Sequence, residues 1–206
     1  NGSSELMSNI SMSLVSMIYN FQLMRLIGEN GVSAYGVLMY VQFIFVSISI
    51  GYSIGCAPVV GFHYGAGNTD ELKNMLKKSV ILTSASGAVL TLAAILLSGT
   101  FAKIFVGYDA ELYELTRHAF MLFAYSFLLA GFNIFMSSFF TALSNGGVSA
   151  AISFLRTLVF QTSCVLVLPI FFGVDGIWRA ITVSEVFATA ISLIFLFALR
   201  KKYNYM

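Results

Sequence analysis

Apolar residues dominate this chain in long blocks, and the polar residues inside those blocks recur every three or four positions, the helical period. Six apolar runs cover residues 6–27, 34–62, 80–106, 119–143, 148–172 and 177–199. Each is long enough for the ~20 residues that a helix needs to cross the hydrocarbon core. The runs lack the strict alternation of a transmembrane barrel and are too long for its strands of ~10 residues. They predict an all-α integral membrane protein with six transmembrane helices. Turn and charge clusters at 28–31, 65–78, 107–117, 144–147 and 173–176 separate the runs. None is long enough to form a soluble domain, so residues 1–206 read as one six-helix unit. Within the second cluster, 69–78 predicts a short amphipathic helix: Asn68 or Thr69 caps it, Asp70 and Glu71 occupy its first turn, and Lys77 and Lys78 its last. Leu72, Met75 and Leu76 would rest on the membrane surface.

Polar stripes mark where the helices turn away from lipid. In the first helix Glu5, Asn9, Ser13, Ser16 and Asn20 share one face, beside an apolar row of Leu6, Ile10, Leu14, Met17 and Phe21. The sixth carries Trp178, Thr182, Glu185, Thr189 and Ser192 on one stripe. An ionisable group in hydrocarbon costs roughly 2.5 to 3.5 kcal/mol on insertion scales, so such groups face a bundle interior or a water-filled path. Glu185 is the deepest acid of the chain. Neutral it can carry a proton, and ionised it can ligate Na⁺ with neighbouring oxygens, of which Thr182 and Thr189 are the nearest along the helix. A structural carboxyl, neutral or paired with an arginine, is the other reading. The fourth helix aligns Ser126, Asn133, Ser137 and Thr141, with Phe120, Phe123, Phe127, Phe135 and Phe139 adding aromatic bulk. Rings with sparse polar groups suit amphipathic organic cations, although most of these rings are expected to face lipid or pack. Asn9, Ser13, Ser16, Asn20, Ser126, Asn133 and Ser137 are therefore the candidate cavity lining, against the plainer alternative of interhelical hydrogen bonding.

In the second helix Gly51, Gly55, Gly61 and Gly65 surround Pro58. Close helix packing accounts for the glycines, and a kink or hinge for the proline. Pro169 ends or bends the fifth run. Arg156, several residues inside that run, is expected to snorkel or to pair with a carbonyl or carboxylate.

Composition narrows the class further. The chain is 58% hydrophobic and 10% charged, against about 25% charged in soluble domains, and its mean hydropathy is +0.87. A net charge of +2, scattered over loops, leaves no nucleic-acid footprint. Lys73, Lys77, Lys78, Arg200, Lys201 and Lys202 fall at one end of the bundle. Arg25, Lys103, Arg117 and Arg179, with Glu29, Asp109, Glu111, Glu114 and Asp175, fall at the other. The positive-inside rule makes the first end cytoplasmic, together with both chain ends. Cys56 and Cys164 read as packing residues, and His63 and His118 lack ligand spacing. No nucleophile–base pair, phosphate-cradling glycine loop or Walker lysine is present, which argues against an enzyme. The first run has no basic n-region, and the chain reads as a piece of something longer.

The segment from Gly51 through Gly55, Pro58 and Gly61 to Tyr64-Gly65-Ala66-Gly67-Asn68 resembles the Gly…Pro…Tyr-Gly-Ala-x-Asn signature of the multidrug and toxin extrusion (MATE) family. Gly2-Ser3-Ser4, the turn at 140–146, Leu155-Arg156 with Phe160 and Pro169, and Asp175-Gly176-Ile177-Trp178-Arg179-Ala180 have similar counterparts in the same order. The resemblance is to the carboxy-terminal six-helix lobe, in the MepA-like bacterial branch. It implies half of an antiporter that exchanges Na⁺ or H⁺ for organic, often cationic, compounds by alternating access. It implies further that the missing amino-terminal lobe is the partner, that there is no cofactor beyond the coupling ion, and that the bacterial inner membrane is the location. Among acidic positions it points to Glu185 and, near the start of the first helix, Glu5. Two other readings stand beside it: a lipid-linked oligosaccharide flippase of related fold, which calls for a more cationic cavity, and a non-transporting truncated membrane module.

Overall fold

The computed structural model describes the backbone of residues 2–206 and the side chains from residue 10 onward. The side chains of Ser3, Ser4, Glu5 and Asn9 therefore lie outside what is described. Helices account for nearly all of the rest: α1 (Gly2–Leu26), α2 (Glu29–Gly65), α3 (Thr69–Leu96), α4 (Ser98–Val106), α5 (Ala110–Phe123), α6 (Phe127–Ala142), α7 (Gly146–Phe154), α8 (Gln161–Phe172) and α9 (Val174–Tyr203). A single 3₁₀ turn, Ala124–Ser126, joins α5 to α6, and a π-helical stretch, Leu155–Phe160, joins α7 to α8. Among the described residues five continuous rods are long and apolar enough to cross a membrane: Glu29–Gly65, Thr69–Leu96, Ala110–Ala142, Gly146–Phe172 and Val174–Tyr203. The 25 residues of α1 add a further long helix.

The loops are shorter than the charge clusters imply. Residues 69–78 are not a separate surface helix but the first turns of α3, which runs on without a break. Asn68 caps it by accepting a hydrogen bond from Glu71 N at 3.2 Å. Likewise Asp109 accepts from Glu111 N (2.9 Å) and Leu112 N (3.1 Å), so the charged stretch 111–117 is helical and α5 starts nine residues before the apolar run does. Hydropathy reports depth in the bilayer, whereas caps and turn residues set where helices start. Conversely, the run at 80–106 is broken at Leu97, beside Ser98 and Gly99, into α3 and the short α4. Gly173, at φ +57°, turns the chain from α8 into α9 within one residue. Both Pro58 and Pro169 lie inside helices that continue past them.

Two aromatic-rich clusters form the core, one toward each end. Tyr19, Tyr35, Phe120, Phe123, Phe127 and Trp178 belong to the first, and Phe135, Met136, Phe139, Phe140, Tyr203 and Tyr205 to the second. The five phenylalanines singled out in the fourth apolar run, and Phe132 and Phe140 beside them, are all buried in these clusters. Row partners of α1 behave oppositely: Ile10, Leu14, Met17 and Phe21 are exposed, as a lipid-facing row must be. Helices approach most closely at Gly87, where a Cβ would stand 2.7 Å from Leu128 O, and at Gly176, where it would stand 2.5 Å from Leu168 O. Of the four α2 glycines expected to pack, Gly61 meets a neighbouring helix, with a Cβ position 3.5 Å from Ala142 O, and the other three do not. A Cβ at Gly51, Gly55 or Gly65 would meet nothing within 4 Å, so within this chain that stripe is open.

Candidate functional site

Glu185 sits on α9, eleven residues from its start, which at 1.5 Å per residue is about 17 Å along the helix axis. It is 1% exposed. A carboxylate in such a place needs a counter-charge and filled lone pairs, and two neighbouring helical segments supply them. From the π-helical stretch, Arg156 donates through Nε to both oxygens (2.9 and 3.0 Å) and through Nη2 to Oε1 at 2.6 Å. From α6, Asn133 Nδ2 lies 2.7 Å from Glu185 Oε2, 3.1 Å from Glu185 O and 3.1 Å from Thr189 Oγ1. With two protons, that amide is shared among the three acceptors. Its Oδ1 accepts from Ser192 Oγ at 3.2 Å, and Thr189 Oγ1 donates to Glu185 O at 2.8 Å. The forked guanidinium matches the carboxylate in a way an ammonium does not.

This clamp forms part of the wall of a cavity of about 560 Å³ lined by α1, α2, α6, α7 and the π-helical stretch, with Gln161 of α8 and Ile181 of α9. Arg156 keeps 18% of its side chain exposed there. Around it the lining is neutral: Ser16, Tyr35, Gln42, Ser53, Asn133 and Thr157 are among its polar members, and Met12, Met39 and Ile181 among its apolar ones. Among the described residues Arg156 is the one charged member of that lining. An adjoining hollow of about 580 Å³ shares Ser16, Tyr35 and Met39 and adds Asn20. One turn along α6 from Asn133, a second polar network is made of hydroxyls. Ser137 Oγ lies 3.0 Å from Ser149 Oγ and 2.8 Å from Ser153 Oγ, and Thr141 Oγ1 donates to Ser149 Oγ at 2.6 Å.

The residues singled out in the sequence are thus distributed unevenly. Glu185, Thr189, Asn133 and Ser192 meet in one network, and Ser16, Asn133 and Ser137 line the cavity. Thr182 turns elsewhere, donating a long 3.4 Å bond to Leu122 O. Ser126 is buried in the 3₁₀ turn, outside this lining, and Ser13 is exposed. None of Phe120, Phe123, Phe127, Phe135 and Phe139 lines the cavity; the aromatic ring there is Tyr35. Ser149, Ser153, Thr157 and Gln161 are not among the residues the sequence pointed to, yet they form an unbroken stripe at four-residue spacing facing α6 and the cavity. Among the described residues no group of three or more His, Cys, Asp or Glu residues could hold a metal ion.

A family model described as MatE matches residues 6–167. The probable multidrug resistance protein YoeA of Bacillus subtilis (strain 168) is 26% identical over 157 residues, covering 71% of this chain and 34% of that protein. Among solved structures, a MOP superfamily transporter from Pyrococcus furiosus, described as having a binding pocket of reverse polarity, superposes with a TM-score of 0.90. Its identity is 18%, over 100% of this chain and 46% of that one. The Vibrio cholerae MATE transporter VcmN in its bent form gives a TM-score of 0.89 at 20% identity, over 99% and 46%. The chain therefore spans about a third of the curated relative and just under half of these structures.

Proposed function

The chain belongs to the MATE family of membrane transporters, and we propose on that premise that it is one lobe of a cation-coupled exporter of organic, often cationic, compounds. The second lobe would close the cavity, and the two would rock about a site near the midplane. The open glycine stripe of α2 supports a partner surface, because small residues in membrane helices let another backbone approach closely.

The observation that carries the reading is the clamp: a cavity of drug-sized volume whose one lining cation is held by a buried carboxylate. A proton arriving at Glu185 removes the charge that holds Arg156. A Na⁺ ion competes for the same oxygens, with Asn133 and Thr189 as neutral ligands. Either ion frees the guanidinium toward the cavity, where it repels a cationic substrate, so bound ion and bound substrate exclude one another and ion entry drives substrate exit. Both ends of this chain lie on the cytoplasmic side in this scheme, by the lysine and arginine excess there. The flippase reading calls for a strongly cationic cavity. Arg156, neutralised by Glu185, does not provide one.

Two experiments test the proposal. In the intact two-lobe transporter, Glu185→Gln should abolish ion-driven efflux of a cationic dye while dye binding persists; a well-folded variant with normal coupling removes Glu185 from the mechanism. In vesicles, residues 1–206 alone should show no ion-dependent dye efflux. Robust efflux by the single lobe would overturn the half-transporter reading.

A further inference from the structure

A crevice of about 540 Å³ opens at the lysine-rich end, where the first turns of α3 meet α6, α9 and residues 205–206. It lies apart from the cavity above and shares no residue with it. Its trough is apolar, walled by Leu76, Ile81, Phe132 and Leu196, while Lys73 and Lys77 stand on its rim. Both lysines are exposed, and among the described residues neither forms an ion pair. Asp70, three residues before Lys73 on the same face, forms no ion pair with either lysine, and Glu71, on another face, accepts a hydrogen bond from Asn74 at 3.1 Å. Tyr205 adds a neutral wall: its hydroxyl donates to Leu196 O at 2.9 Å, and burial, then the neighbouring Tyr203, push its phenol up to about 12.

We propose that this crevice holds one anionic phospholipid, its phosphate on Lys73 and Lys77 and one acyl chain in the trough. The two lysines are one turn apart on the same face of α3, so they converge on a single acceptor. From Lys73 to Ile81 the helix descends about 12 Å, the passage from headgroup level into the acyl region. A trough of this polarity in a bilayer is filled by a hydrocarbon chain, and a rim of unpaired cations selects the anionic headgroup. This inference does not depend on the transport reading.

The test uses the full chain, delipidated in detergent, with binding followed by native mass spectrometry. Phosphatidylglycerol should remain bound as one molecule under conditions that strip phosphatidylcholine. Lys73→Gln with Lys77→Gln should weaken phosphatidylglycerol about thirtyfold, the effect of two surface cations at about tenfold per 1.4 kcal/mol. Lys201→Gln with Lys202→Gln, the same charge change outside the crevice, should leave it unchanged. Ile81→Trp, at a position already 60% exposed, should lower binding by filling the trough while both lysines stay. Equal retention of the two lipids, equal loss in both lysine pairs, or full competition by inorganic phosphate alone would each overturn the proposal.

Discussion

Asn133 and Ser137 stand one turn apart on α6, and each anchors a buried polar network, but the two networks are built from different materials. Asn133 joins a charged clamp in which a buried carboxylate holds a guanidinium that reaches the cavity only in part. Ser137 joins a chain of hydroxyls that rotate and can each donate or accept. A charged network in a low-dielectric interior is tolerable only when every member is present, because the loss of one leaves another charge uncompensated. A hydroxyl chain can redistribute its bonds around a gap. The clamp therefore fixes how the π-helical stretch, α6 and α9 sit together, while the hydroxyl chain lets α6 and α7 stay close without holding either to one geometry.

Breaking the clamp from one side should have the largest effect. Either Arg156→Ala or Glu185→Ala should cost about 3 to 5 kcal/mol, read as early loss of the monodisperse species on heating in detergent. Replacing both at once, Arg156→Met with Glu185→Leu, should recover most of that stability; a double variant as fragile as the singles would break the comparison. Asn133→Ala should follow, at about 1 to 3 kcal/mol, since it strips a donor from Glu185 and the acceptor from Ser192. Smallest should be Ser137→Ala or Ser153→Ala, at about 0.6 kcal/mol, the typical worth of a neutral interhelical bond in a membrane. If Ser137→Ala proved as damaging as Asn133→Ala, the hydroxyl chain would be no more adaptable than the clamp.

Both networks show what could be read in the sequence and what could not. The apolar runs marked most rods, and the depth of Glu185 marked it as a buried acid, because hydropathy and helical period are properties of one segment. Which polar groups meet depends on how neighbouring helices are rotated about their axes, and a stripe on one helix does not set that. Thr182 and Thr189 flank Glu185 on either side in sequence, yet Thr189 joins the network and Thr182 bonds toward Leu122. Arg156 needed a counter-charge, but a carbonyl would have served as well in the sequence as the carboxylate it found. The stripe from Ser149 to Gln161 was visible in period alone and carried no charge to draw notice. Helix limits such as the start of α5 at Ala110 were set by the side chain of Asp109, a local device that an apolar average over the segment hides.

The rods that carry Arg156 and Glu185 are consecutive, joined by the single residue Gly173 and in close contact at Gly176. Each rod entering the bilayer alone would bring a bare charge with it, at roughly 2.5 to 3.5 kcal/mol apiece. Entering together as a hairpin, they carry a pair that is already neutral. During biogenesis the short turn thus makes the two spans one unit of insertion, and lengthening it with a flexible insert at Gly173 should lower the yield of correctly inserted protein even where the finished fold would accommodate the extra residues.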